Sequence, residues 1–115
     1  MKVIFNSIIP APGFIAFTLW PFIFVRRKAA PRYTEVTDRH ENIHGLQQKE
    51  MLVVLFLAWY GIEWFVRFCI LHNSHKAYRA ISLEQEAYDN EHDPGYLDNR
   101  RPYAWTAYLK RTPAS

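Results

Sequence analysis

The chain has 115 residues, half of them hydrophobic and 17% aromatic, with 14 cations against 11 acids for a net charge of +3. That is one small domain with more apolar bulk than a core of its size readily hides, and it excludes a disordered, collagen-like or multidomain chain. Cys69 has no partner, which also excludes a disulfide scaffold and a Cys-rich zinc module.

The first apolar block runs from Val3 to Val25 and is closed by Arg26-Arg27-Lys28. Pro10, Pro12 and Pro21 interrupt it, and each costs about 3 kcal/mol inside a helix. No small-residue cleavage site follows, so the block does not read as a signal peptide. The β-branched and aromatic residues on either side of Trp20-Pro21 predict two short strands within 14–27, from Phe14 to Leu19 and from Phe22 to Arg27.

From Thr37 onward the pattern is helical. Thr37 or Asp38 suits an N-cap, and the next proline is Pro94. A long helix is predicted over 38–59, polar at its start and apolar all round from Leu52. The stretch 62–92 supplies the return: a helix to about Arg79, then a short one opened by the capping-box pair Ser82 and Gln85. Asp93-Pro94-Gly95 ends it as a turn. The segment 96–115 carries Tyr103, Trp105 and Tyr108, enough aromatics to dock. The expected class is α+β, mainly α with a short N-terminal β-hairpin.

One motif carries chemistry. Residues 40–44 read His40-Glu41-Asn42-Ile43-His44, a His-Glu-x-x-His sequence inside the predicted helix. Chance gives about 0.01 such matches in a chain of this composition. Histidines four apart share one helix face and can share one Zn²⁺, with Glu41 beside the metal as general base on a water. A catalytic zinc takes three protein ligands, and His72, His75, Glu84, Glu86, Glu91 and His92 are the downstream candidates. Glu84 shares its helical stripe with Leu83, Ala87, Tyr88 and Glu91, whereas Glu86 lies with Asp89, Asn90 and Asp93, a face that reads as solvated. Glu84 is the expected third ligand and Glu86 the runner-up.

His40-Glu41-x-x-His44 followed by Glu84-Gln85-Glu86-Ala87 resembles the gluzincin zinc metallopeptidases, and within them the membrane-linked branch, whose third ligand sits in a Glu-x-x-Ala pattern. The resemblance again selects Glu84. It also implies peptidase activity on a peptide or protein substrate, and an edge strand above the active helix that pairs with that substrate, a role the 14–27 region can supply. Attachment to a membrane, the bacterial inner membrane, is part of the same expectation. Tyr88 departs from the pattern, standing where that branch usually has aspartate.

Residues 51–71 make 21 positions, about 31 Å as a helix, which matches a bilayer core. A straight span would put His44 and Glu84 on opposite sides of the membrane. A reversal at Tyr60-Gly61, giving an antiparallel apolar helix pair, is therefore expected instead. Glu63 and Arg67 read as an i,i+4 pair that neutralises both charges. Acidic residues between Glu84 and Asp98 argue against nucleic acid as a partner. Two functions remain open: a zinc hydrolase, or a small membrane-linked interaction protein whose metal site is structural or vestigial.

Overall fold

Three prolines and a run of β-branched and aromatic residues keep the start of the chain out of helix. In the computed structural model, which describes residues 1–112, this region forms a three-stranded sheet. Its strands are β1 (Lys2–Asn6), β2 (Ala16–Leu19) and β3 (Phe22–Arg26), in the order β1-β3-β2. The expected hairpin is β2–β3, antiparallel, with Leu19 opposite Phe22 across Trp20-Pro21. β1 is an addition, pairing parallel to β3 with Val3 opposite Ile23. Nothing local marks it as separate from the apolar block, and only β3 makes it a strand.

A 3₁₀ turn over Arg27–Arg32 leads into α1 (Glu35–Met51). Its cap is Thr34, earlier than the expected Thr37 or Asp38: the Thr34 hydroxyl accepts from the Thr37 N–H at 3.4 Å. The helix also ends earlier than expected, at Met51 and not at residue 59. Leu52 reverses the chain with φ 62° and ψ 143°, and α2 (Val53–Leu71) runs unbroken through Gly61. The expected turn at Tyr60-Gly61 is absent. Reversal at Leu52 brings a stripe at i, i+4, i+7 and i+11, Phe56, Tyr60, Glu63 and Arg67, back onto the rest of the protein. A helix continued to residue 59 would carry Phe56 away from it.

α2 ends at His72, in the left-handed region, and Asn73 caps α3 (Ser74–Ala80) by accepting from the Lys76 N–H at 2.9 Å. α4 (Ser82–Asn90) follows, so the expected return is three helices. Ser82 does not form a capping box. Its N–H and hydroxyl both donate to Glu63, at 2.9 and 2.5 Å, placing a carboxylate at the start of α4. Gln85 instead holds the C-terminal segment through Arg111 O at 2.8 Å. The Glu63–Arg67 pair exists at 3.4 Å, while Arg67 also binds Leu109 O at 2.8 Å.

Beyond the Asp93–Gly95 turn come α5 (Tyr96–Asn99) and a 3₁₀ turn over Ala104–Tyr108. Trp105 packs into a core cluster with Phe56, Ile81 and Leu83, so the aromatic segment docks as expected. Residues 113–115 of that expected 96–115 tail lie outside the described residues. Arg100 clamps it, reaching Glu86 at 2.5 Å and Glu50 at 2.8 Å. The fold is thus mainly helical with a small N-terminal sheet. Length and composition let one helix among the described residues cross a membrane: α2, with 19 residues and a mean hydropathy of 1.7.

Two substitutions test the observed reversal. Leu52 is 68% exposed in a backbone region that favours glycine, so Leu52→Gly is expected to stabilise the fold by about 1 kcal/mol. A methyl group at Gly61 meets nothing within 4 Å, so Gly61→Ala adds about 0.5–1 kcal/mol of helix propensity. Urea midpoints measure both; a loss at Gly61 would restore the turn there. Arg100→Met leaves fully buried Glu86 short of its cation and should cost about 3 kcal/mol in the same measurement.

Candidate metal centre

α1 crosses beneath β2 and against α4, and the crossing is where the chemistry collects. His40 and His44 project from one face of α1, one turn apart, and α4 presents Glu84 to both. Glu84 Oε1 lies 3.1 Å from His40 Nε2 and 3.0 Å from His44 Nε2. All three residues are buried, and their ligand atoms lie within 4.8 Å of one another.

Neighbouring groups fix which atoms face inward. Gln47 Nε2 donates to Leu83 O at 3.0 Å and to Glu86 Oε1 at 2.9 Å, which turns its oxygen towards His44 Nδ1 at 2.8 Å. His44 therefore donates from Nδ1, and its Nε2 lone pair points at Glu84. His40 is set the same way, with Nδ1 against Glu91 Oε2 at 2.7 Å. The Tyr60 hydroxyl donates to Glu84 Oε2 at 2.6 Å, leaving Oε1 to the histidines. Such carboxylate and amide partners are the usual means of orienting metal-binding imidazoles.

Three lone pairs converging out of water require a cation among them, protons or a metal ion. The titration behaviour agrees. Burial opposes charging His40, but its bonds to Glu84 and Glu91 outweigh that and push it up to about 10. His44 is likewise raised against burial, through the charge and hydrogen bond of Glu84. Burial would lift Glu84, yet His44 and His40 hold it well below the usual carboxylate range. The ligand atoms of a tetrahedral zinc stand roughly 3.3 Å apart, close to the 3.1 and 3.0 Å from Glu84 Oε1 to the two imidazoles. His40, His44 and Glu84 can hold a metal ion.

The remaining expected ligands fall elsewhere. Glu86 is not on a solvated face: it is fully buried, bonded to Gln47, Tyr96 and Arg100. Helical phase separates Glu84 from Glu86 by what each meets, since the C-terminal segment covers the second face. Glu91 orients His40, His72 and His92 are exposed, and His75, also exposed, lines the cavity onto which His44 and Glu84 open without joining their cluster. Tyr88 makes a T-shaped contact with His40, ring centroids 4.5 Å apart.

The site opens into a cavity of about 590 Å³. Glu41, His44 and Glu84 line it, with Phe17 and Thr18 on the strand side and Phe56, Leu57 and Tyr60 on the α2 side. Thr18 donates to Glu41 Oε1 at 2.7 Å. Gln48 grips the same strand, donating to Thr18 O at 2.8 Å and accepting from Trp20 N–H at 2.6 Å. Sequence reasoning missed Thr18, Gln47, Gln48 and Tyr60. For Gln47 a signal existed, because it stands three residues after His44 on the same face.

The chain matches no known family model, no curated protein and no solved structure. What the site does is therefore argued from its own geometry.

The metal-free protein should show a definite pH profile. Raised His40 and His44 stabilise fully below their ordinary 6.5, and the gain is lost as pH climbs above it, for His40 towards about 10. Lowered Glu84 stabilises above its ordinary 4.5 and the gain is lost below it. Melting temperature without metal is expected to peak between these two values. A temperature that rises steadily above pH 6.5 would contradict the arrangement of protons.

Proposed function

We propose that the protein is a membrane-associated, zinc-dependent hydrolase, a minimal metallopeptidase of gluzincin type, with His40, His44 and Glu84 as ligands and Glu41 as general base. The observation that carries this reading is that two imidazoles and a carboxylate converge on the floor of a cavity which Glu41 also lines. Zinc suits two nitrogens and one oxygen with a fourth position open, and when bound it polarises a carbonyl and acidifies a water. A closed structural site would instead engage four protein ligands, which favours catalysis over the structural alternative.

The chain's own groups account for the rest. Glu41 takes a proton from the attacking water at its free carboxylate oxygen and returns it to the leaving amine. Thr18 holds the other oxygen, so the base does not swing. β2 is an edge strand, and Thr18 turns its carbonyl off the sheet to Gln48. Antiparallel alternation then turns the backbone groups of Ala16 the same way, supporting an extended peptide laid along this edge. The outer side of α2 supports the membrane part of the reading: Val54, Leu55, Ile62, Phe65, Val66 and Ile70 are exposed, while Glu63 and Arg67 face inward.

Chelator-stripped protein should take up one zinc per chain, and His44→Ala and Glu84→Gln should lose it. Glu41→Gln should keep the metal yet cleave a quenched-fluorescence peptide library at least ~100-fold more slowly. Zinc uptake with no Glu41-dependent cleavage would favour a structural metal in an interaction protein; no uptake would remove the hydrolase reading and leave an interaction protein with a vestigial site.

A further inference from the structure

The distribution of residues is inverted for a chain surrounded by water. Among the described residues, more polar and charged side chains are buried than hydrophobic ones, and α2 leaves most of its circumference of Val, Leu, Ile and Phe exposed. Buried polar groups and large exposed apolar faces are the two informative departures from ordinary burial.

α2 is pinned to the protein along its length. Phe56 packs against the His44 ring at 5.9 Å, Tyr60 binds Glu84, Glu63 binds Ser82, Trp64 donates to Ser74 O at 3.3 Å, and Arg67 holds Leu109 O. Polar elements therefore flank one side of the helix from its first turn to its last. A helix so flanked cannot cross a bilayer without drawing α3, α4 and the C-terminal segment into lipid.

The charges near its ends complete the picture. Lys49 precedes α2 and Lys76 follows it, both exposed, while the neighbouring acid Glu50 is taken by Arg100. Lys49 also sits 5.8 Å over the ring of Trp20, which is 41% exposed, the pairing of cation and indole suited to a headgroup layer. The cavity reaches this surface. Leu57 belongs to the exposed face of α2 and also lines the cavity, as do the exposed Phe14 and Phe17 opposite.

We propose that α2 docks lengthwise on one leaflet of an anionic bilayer, half-embedded and not spanning it, with Lys49 and Lys76 on lipid phosphates and the mouth of the cavity at the lipid surface. This deepens the membrane part of the proposed function and is independent of its zinc chemistry. Interfacial helices bury one apolar face to about 5–10 Å in this way; here the protein itself supplies the polar face.

The test uses the full chain with Cys69→Ala, mixed with phosphatidylcholine vesicles with and without phosphatidylglycerol. Binding should be tighter to the anionic vesicles, and each of Lys49→Gln and Lys76→Gln should weaken it by roughly fivefold. An environment-sensitive fluorophore on Ile62→Cys or Phe65→Cys should shift to the blue on binding. Lys49→Cys and Lys76→Cys should both react with an impermeant thiol reagent added outside. Protection of only one of the two would indicate a span and overturn the proposal. So would absence of vesicle binding, absence of the blue shift, or a stable dimer in solution that buries Ile62 and Phe65. Peptide cleavage without vesicles reports the hydrolase reading separately, so failure of either leaves the other measurable.

Discussion

Glu84 Oε1 stands about equally far from the Nε2 atoms of His40 and His44, all three side chains being buried at the floor of the cavity. Much of the helical part is arranged around that meeting. A carboxylate oxygen and two imidazole lone pairs repel unless a cation sits among them, and burial multiplies the penalty of leaving them unpaired. Each of the three side chains is accordingly held from behind by a further polar group, His40 and Glu84 from another element and His44 by Gln47 of its own helix. Glu91 follows α4, Tyr60 belongs to α2, and Gln47 is held by Leu83 O and Glu86. Through Glu86 the chain of bonds continues to Arg100 and Glu50, so the C-terminal segment supports the orientation of His44 as well as covering the core.

This economy explains how so short a chain makes a site at all. The hydrophobic cluster around Phe56, Ile81, Leu83 and Trp105 is small, and polar networks fill much of the remaining interior. Fully satisfied networks specify one arrangement more sharply than apolar packing does, because each alternative leaves a buried group unpaired. They add little net stability, however. A metal bound only by the native state would supply free energy where the core is thin.

The motif was legible because its geometry is local. His40 and His44 need only a helix to face the same way, and helical phase was enough to choose Glu84 over Glu86. The reason attached to that choice was wrong, since Glu86 is buried by Arg100 and Tyr96, which arrive from the next turn of chain. The strands around Trp20-Pro21 were legible from composition, and β1 was not, because a parallel partner leaves no local mark. The reversal was misplaced for a related reason. Gly61 is the obvious breaker by propensity, but Leu52 turns the chain because only there does the stripe from Phe56 to Arg67 land on α4 and the C-terminal segment. Tertiary pairing of Glu63 with Ser82 and of Tyr60 with Glu84 outweighs the local cost at one leucine.

The same stripe decides the relation between the site and the outer surface. Because α2 spends its polar residues inward, it closes one wall of the cavity and offers an uncharged side outward; the two properties follow from one helical phase. Shifting that phase by a single residue would rotate Glu63 and Arg67 towards the outside and take Tyr60 off Glu84. The charged pair in an apolar helix, which from sequence reads as simple neutralisation, is what locks the rotation. A wall of the site and the exposed apolar surface are thereby one element, and Leu57 belongs to both. Whatever lies against α2 is in contact with the rim of the cavity, so a change in the surroundings of this helix bears directly on the site, on Glu84 through the Tyr60 hydroxyl and on His44 through the Phe56 ring.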